Sequence, residues 1–259
     1  MNESTAPSGG TPDREERLGL ARDLRLLALL HDREPTADLL AMLRRTPVGD
    51  LFELPLASER GVEALDFFDK ALAIAVAGGS ARLDELAADH AAIYLTYAHR
   101  AAPTESPWID PEGLMAQQPM FAVRDWYGHW GLEVPDWRRR NDDHLVVQLG
   151  FLAHLMEAVD HPAAPVDAAR FLDRHLLRWF DAFAERVKAR CWTAYWAAVA
   201  ALTSAWLQAF RLRLSAIPGC ETTEIEPIEA ERERLRAEAT RNDANCTTPS
   251  HVPGLAPSW

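Results

Sequence analysis

The feature that most constrains the fold is a run of twenty uncharged residues, CWTAYWAAVAALTSAWLQAF, from Cys191 to Phe210. Its length equals a bilayer span. Its content does not suit one: the run is rich in alanine, carries Thr193, Thr203, Ser204 and Gln208, and has few of the Leu, Ile and Phe residues that drive insertion. The segment therefore reads as a helix buried on most sides by other protein elements. No membrane span is expected.

The surrounding chain supplies helices to wrap it. Leu20, Leu24, Leu27 and Leu30 recur at three- and four-residue spacing and predict an amphipathic helix over 14–32. Thr36 caps a second helix over 36–45. A third runs over 59–78 and stops at Gly78-Gly79, after which Ser80 is expected to cap a helix reaching about residue 99. The segment 101–116, with three prolines in AAPTESPWIDPEG, reads as a loop. Helices over 119–130, from near Asn141 to before His161, over 166–189 and over 190–216 follow, with Pro218-Gly219 as terminator. No stretch has the short alternating β-branched pattern of a strand. The expected fold is all-α, a single helical-bundle domain of roughly eight or nine helices spanning 14–220. Residues 1–13 read as a disordered leader and 221–259 as a charged, partly disordered tail.

Composition narrows the function. A formal net charge of −12 and a pI near 5.2 argue against nucleic acid as partner and suit one carrying positive charge. Cys191, Cys220 and Cys246 are odd in number and far apart, so neither a disulfide framework nor a zinc site follows, and a reducing compartment is the natural reading. The start MNESTAPSGGTPDREE lacks the basic and apolar regions of a secretory signal, and a cytoplasmic location is expected. Glycine-rich phosphate loops are absent from the sequence, so nucleotide and dinucleotide chemistry have no support.

Asp142-Asp143-His144 is the most chemical cluster. With Asn141 as N-cap, the two carboxylates would sit in the first turn of a helix and complement its dipole. That explains the aspartates but not His144, because a cation there opposes the dipole. A catalytic Asp–His pair would need a nucleophile in a recognisable elbow, which the sequence lacks. His144 and His154 are ten residues apart, outside the usual metal-ligand spacings. The Glu105-Ser106-Pro107-Trp108 loop reads either as a rigid connection with Trp108 in the core or as a binding rim.

Four blocks in fixed order resemble the TorD/DmsD-like chaperones of molybdoenzymes. Asp89-His90-Ala91-Ala92-Ile93-Tyr94 resembles their D-Y-x-x-L-F segment, and Pro103-Thr104-Glu105-Ser106-Pro107-Trp108 their P-x-E-S-x-[YW] connection. Tyr127, Gly131 and Leu132 are similar to their Y-x-x-x-G-L turn. Asp142-Asp143-His144-Leu145, leading into Gln148-Leu149-Gly150-Phe151-Leu152, is similar to their E-P-x-D-H-[IL] signature. The resemblance covers about residues 15–215. His90 stands where tyrosine is usual, Ile93-Tyr94 where Leu-Phe is usual, and Arg140-Asn141 where Glu-Pro is usual.

The resemblance implies a cytoplasmic chaperone without catalysis or bound cofactor of its own, monomeric or homodimeric. Its implied partner is a molybdopterin-dependent catalytic subunit of the DMSO reductase family, recognised through its twin-arginine signal peptide, its body, or both. The implied task is to assist cofactor insertion and hold the subunit from export until mature. Asp142 and Asp143 are expected to meet the guanidinium pair, since carboxylates are its planar acceptors. His144, Glu105, Ser106 and Tyr127 join them, and Ile93, Tyr94 and Trp108 line the apolar section or stack on arginine. The alternatives are a chaperone for a cytoplasm-facing nitrate-reductase-type subunit, whose leader lacks the twin arginines, and a helical hydrolase using His144.

Overall fold

In the computed structural model, which describes residues 12–135 and 140–245, the uncharged run becomes helix α10, Ala194–Ser215, and nearly every one of its faces is buried. The other helices are α1 (Arg14–Asp32), α2 (Ala37–Arg44), α3 (Glu59–Ala77), α4 (Gly79–His90), the single turn α5 (Ser106–Ile109), α6 (Gln118–His129), α7 (Leu145–Glu157), α8 (Ala164–Phe171), α9 (Leu177–Arg190) and α11 (Ile228–Asn245). A π-helical turn, Ala91–Leu95, extends α4, and another, Leu172–Leu176, joins α8 to α9. Among the described residues there is no strand, and no helix is long and apolar enough to cross a membrane.

Helices α3 and α9 flank α10, and α1 lies against α7. Trp179, Phe180, Phe183, Trp196, Trp206 and Phe210 fill the space at the centre. Burying aromatic side chains of this size is the main stabilising contribution, ~1.5–3 kcal/mol for each large apolar side chain. Several polar groups on α10 find partners inside the bundle. Arg211 forms two hydrogen bonds to Asp173 at 2.6 and 2.8 Å, and Thr203 donates to the Val199 carbonyl at 2.9 Å.

The start of α10 is capped from a distance. Thr193, at the cap position, makes no local side-chain cap. Asp89, at the end of α4 and fully buried, instead accepts from the backbone N–H groups of Trp192 and Thr193 and from the Thr193 hydroxyl, at 3.1, 2.7 and 2.6 Å. Arg17 performs the opposite service for α7. Its guanidinium donates to the carbonyls of Leu155, Ala158 and Val159, which α7 leaves without intrahelical donors.

Most expected helices lie close to their predicted bounds, Thr36 included, whose hydroxyl accepts from the Leu39 N–H at 3.2 Å. Three details differ. The chain turns directly from α3 into α4 because Gly79 adopts φ +61°, so Gly78 holds the cap position expected of Ser80. That rod ends at Leu95 rather than near 99. The expected loop 101–116 contains the single turn α5, which with the division of the expected 166–189 helix into α8 and α9 and with α11 raises the described α-helices to eleven. The expected leader falls largely, and the final residues of the expected tail wholly, outside the described residues; α11 occupies part of the rest.

Candidate functional site

The DDH segment does not start a helix. Asn141, the expected cap, lies ahead of a turn, and His144 itself is the N-cap of α7, its Nδ1 accepting from the Val146 N–H at 3.1 Å. Asp142 and Asp143 are thus outside the first helical turn, and the dipole argument does not apply to them. The physical reason is a competing pairing. Leu145 N–H donates to the Pro103 carbonyl at 2.8 Å, Glu105 N–H donates to the Asp143 carbonyl at 3.1 Å, and an isolated antiparallel bridge joins Thr104 to His144. A turn at 142–143 and the extended His144 are tied to the 103–106 loop, so the helix starts only at Leu145.

Side chains complete this clasp. Asp143 is fully buried, and its Oδ2 accepts both from Ser106 N–H at 2.8 Å and from the Ser106 hydroxyl at 2.6 Å. Glu105, 1% exposed, accepts from His175 Nδ1 at 3.0 Å and from Gln148 Nε2 at 2.9 Å. Gln148 Nε2 also reaches the Asp143 carbonyl at 3.1 Å. Asp142 Oδ2 accepts from Arg124 at 2.7 and 3.2 Å, and Tyr127 donates its hydroxyl hydrogen to the Asp142 carbonyl at 2.9 Å. Two sequence blocks nearly forty residues apart are thereby fixed to each other and to α6, α7 and the π turn after α8.

A second polar chain starts at the π turn Ala91–Leu95. Such insertions rotate the following side chains relative to a regular helix and recur at functional sites. Here Ile93 and Tyr94 point inward while Leu95 is exposed. Tyr94 Oη lies 2.5 Å from His31 Nδ1, and His31 Nε2 lies 2.9 Å from Thr203 Oγ1. Because Thr203 donates to Val199, its oxygen accepts from His31 Nε2–H, and Tyr94 donates to Nδ1. That arrangement requires a neutral imidazole. Burial pushes the His31 pKa down to about 3, with nearby His90 adding to the effect. His144 is likewise pushed down to about 3, by burial first and Arg140 second.

These groups border a cavity of about 110 Å³ lined by His31, His90, Tyr94, Thr104, Asn141 and His144, with Leu95 and Tyr97 also on its wall. Asp32 and Arg140 sit there as an ion pair at 2.7 Å. The Nε2 of His90 is buried and has no hydrogen-bond partner among the described residues. Among those residues there is no cluster suited to a metal ion.

All nine residues singled out in the sequence are buried. Asp142, Asp143, His144, Glu105, Ser106 and Tyr127 form one connected clasp. Ile93 and Tyr94 belong to the π turn, and Tyr94 meets the clasp at the cavity. Trp108 stands apart on α5: its ring lies 6.5 Å from that of Trp179, Arg186 sits 4.8 Å above it, and its indole N–H donates to the Ala102 carbonyl. No guanidinium from outside reaches Asp143 as it stands, and Asp142 already holds Arg124. Sequence reasoning missed Arg124, His175, His31 and His90.

The hydrolase alternative finds no support in this geometry. The described hydrogen bonds give His144 a backbone N–H as partner, and the Ser106 hydroxyl donates to a carboxylate with no histidine beside it.

The profile of the family described as nitrate reductase delta subunit matches residues 58–185. A chaperone protein TorD of Vibrio cholerae serotype O1 is 34% identical over 132 residues, which cover 48% of this chain and 60% of that protein. The TorD of Vibrio vulnificus is 30% identical over 110 residues, 39% of this chain and 51% of the relative. That of Shewanella loihica is 27% identical over 203 residues, 76% of this chain and 92% of the relative. The chain is thus similar to the nitrate reductase delta subunit family over its middle half and to TorD chaperones over up to three quarters of its length. It spans 60% of the length of the Vibrio cholerae relative.

Proposed function

We propose that this chain is a maturation chaperone for a molybdopterin-containing catalytic subunit, binding its twin-arginine signal peptide and assisting cofactor insertion before export. The observation that carries the reading is the clasp between the 103–106 loop and Asp142–Gln148, which holds an open polar cavity beside exposed Leu95. A cavity of about 110 Å³ has room for one small side chain, and exposed Leu95 at its edge offers an apolar contact to the rest of an extended peptide. The chain's acidic balance favours a basic partner. Asp143 and Glu105 act in this reading by holding the loop in shape, and the cavity wall meets the peptide. A cytoplasmic location and a monomeric or dimeric state accompany the proposal.

The test is calorimetric titration with the leader peptide of a molybdoenzyme encoded beside this chain. Saturable binding is expected, weakened about tenfold by Leu95→Asp at an exposed position. Unchanged affinity in that variant would remove the cavity from the site. No binding to the leader or to the mature subunit would remove the function.

A second reading follows from the description of the matching family: the client is a nitrate-reductase-type subunit whose leader lacks the arginine pair. Titrating a twin-arginine leader beside a copy with both arginines replaced by lysine separates the two. Arginine presents a planar fork that lysine cannot copy, so affinity falls under the first reading and holds under the second.

A further inference from the structure

Helix α11 lies on the body in an unusual way. None of its described side chains is fully buried, so it is not held by an apolar face. Its grip is polar and centres on arginine. Arg232 donates to the Trp108 carbonyl at 2.7 Å and to that of Ile109 at 3.4 Å, and Arg236 reaches the Pro111 carbonyl at 3.4 Å. A second anchor is Glu231, which accepts from Arg178 at 2.5 Å.

The carbonyls have a clear origin. Helix α5 is one turn long, so the oxygens at its end have no intrahelical donors, and the chain must satisfy them otherwise. Three acceptors within four residues form a row that matches a pair of guanidinium groups. Two arginines one helical turn apart occupy it. Arg186 also stacks on the Trp108 ring, so this rim gathers arginine from two directions.

Beside α11 is a cavity of about 230 Å³ whose wall includes Glu105, Trp126, His175 and Glu231 together with the cations Arg174 and Arg178. The two aspartates that would serve as arginine acceptors are already committed, Asp142 to Arg124 and Asp143 to Ser106. Glu105 is likewise committed, to His175 and Gln148, so the carbonyl row is the arginine-accepting feature near the clasp that a movement of one weakly held helix would open.

We propose that α11 is a built-in competitor: Arg232 and Arg236 occupy the acceptor row Trp108–Pro111, and displacement of α11 gives that row to the arginine pair of a client peptide. This rests on the reading that the client leader carries two arginines. The helix then sets a threshold, because a site open only part of the time binds with an apparent affinity reduced by the open fraction.

Fluorescence anisotropy of a labelled twin-arginine leader peptide tests it on the full chain and on two variants. Arg232→Ala with Arg236→Ala removes the competing groups, and Glu231→Ala loosens α11 without touching them. Both are expected to tighten binding about tenfold, with the melting temperature unchanged within a few degrees. The gain should vanish when the peptide's arginines are replaced by lysine. Weaker binding in the double variant would mean that the helix serves the client, and unchanged binding in both variants would mean that it is only a packed tail. Either result overturns the proposal. Failure of every form, the unaltered chain included, to bind the leader would overturn the underlying reading, and this inference with it.

Discussion

Replacing Asp143 separates two roles that the carboxylate could play, charge and hydrogen-bond geometry. Both bonds from Ser106 fall on one oxygen, Oδ2, while Oδ1 is buried without a partner among the described residues. Asp143→Ala leaves a buried N–H and a buried hydroxyl without their acceptor. At about 1–3 kcal/mol per stranded group, less some relief from removing a desolvated charge, the expected loss is about 2–4 kcal/mol. For a chain of this size that lowers the melting temperature by about 5–15 °C. Asp143→Asn keeps the one oxygen that matters and should stay within about 1 kcal/mol of the unaltered chain.

The pH dependence supplies a second readout. Burial raises the Asp143 pKa above the usual carboxylate value; the Ser106 bonds oppose the rise and the charge of Glu105 adds to it. The folded state thus holds this proton more tightly than the unfolded state. The group favours folding while protonated, and that contribution disappears as pH rises from the unfolded value of about 3.9 through the raised folded value. Asp143→Asn cannot titrate and should lack this slope. Urea unfolding of the three proteins between pH 4 and 7 is the assay. An asparagine variant as unstable as the alanine variant would refute the reasoning, because the charge itself would then be the stabilising element.

Two further predictions concern buried ionisable groups. His144 and His31 are held neutral, each with a pKa of about 3, so their contribution is complete above the unfolded value of about 6.5 and is lost as pH falls from there toward 3. His144→Asn keeps a capping acceptor and removes one titrating group, so its stability should fall less between pH 7 and 5 than that of the unaltered chain, by up to ~1.4 kcal/mol per pH unit. Arg211→Met strands the buried Asp173 carboxylate and should cost about 3–5 kcal/mol in chemical denaturation, with most of the loss recovered when Asp173→Leu is added.

Much of the fold is written locally in the chain. The uncharged run Cys191–Phe210 has no polar face to give to water, so it has to be central, and α10 is. Leucine spacing sets α1, and Thr36 and Gly131 mark helix ends through their own side-chain and backbone preferences. The residues that gather at the candidate site were also visible, because four short blocks in order carry them.

Their roles were decided by the tertiary structure. Asn141-Asp142-Asp143 has the composition of a helix start, and in isolation that expectation is sound. Hydrogen bonds to Pro103 and Glu105, nearly forty residues away, hold this backbone in a turn ahead of the helix and pass the cap to His144. The same long-range pairing turns Asp143 from a surface carboxylate into a sealed one, and hands Asp142 to Arg124. Local propensity reads the few residues on either side of a position. A buried polar network is a property of segments that meet only after folding, so its partners, its burial and its pKa directions belong to the tertiary structure alone.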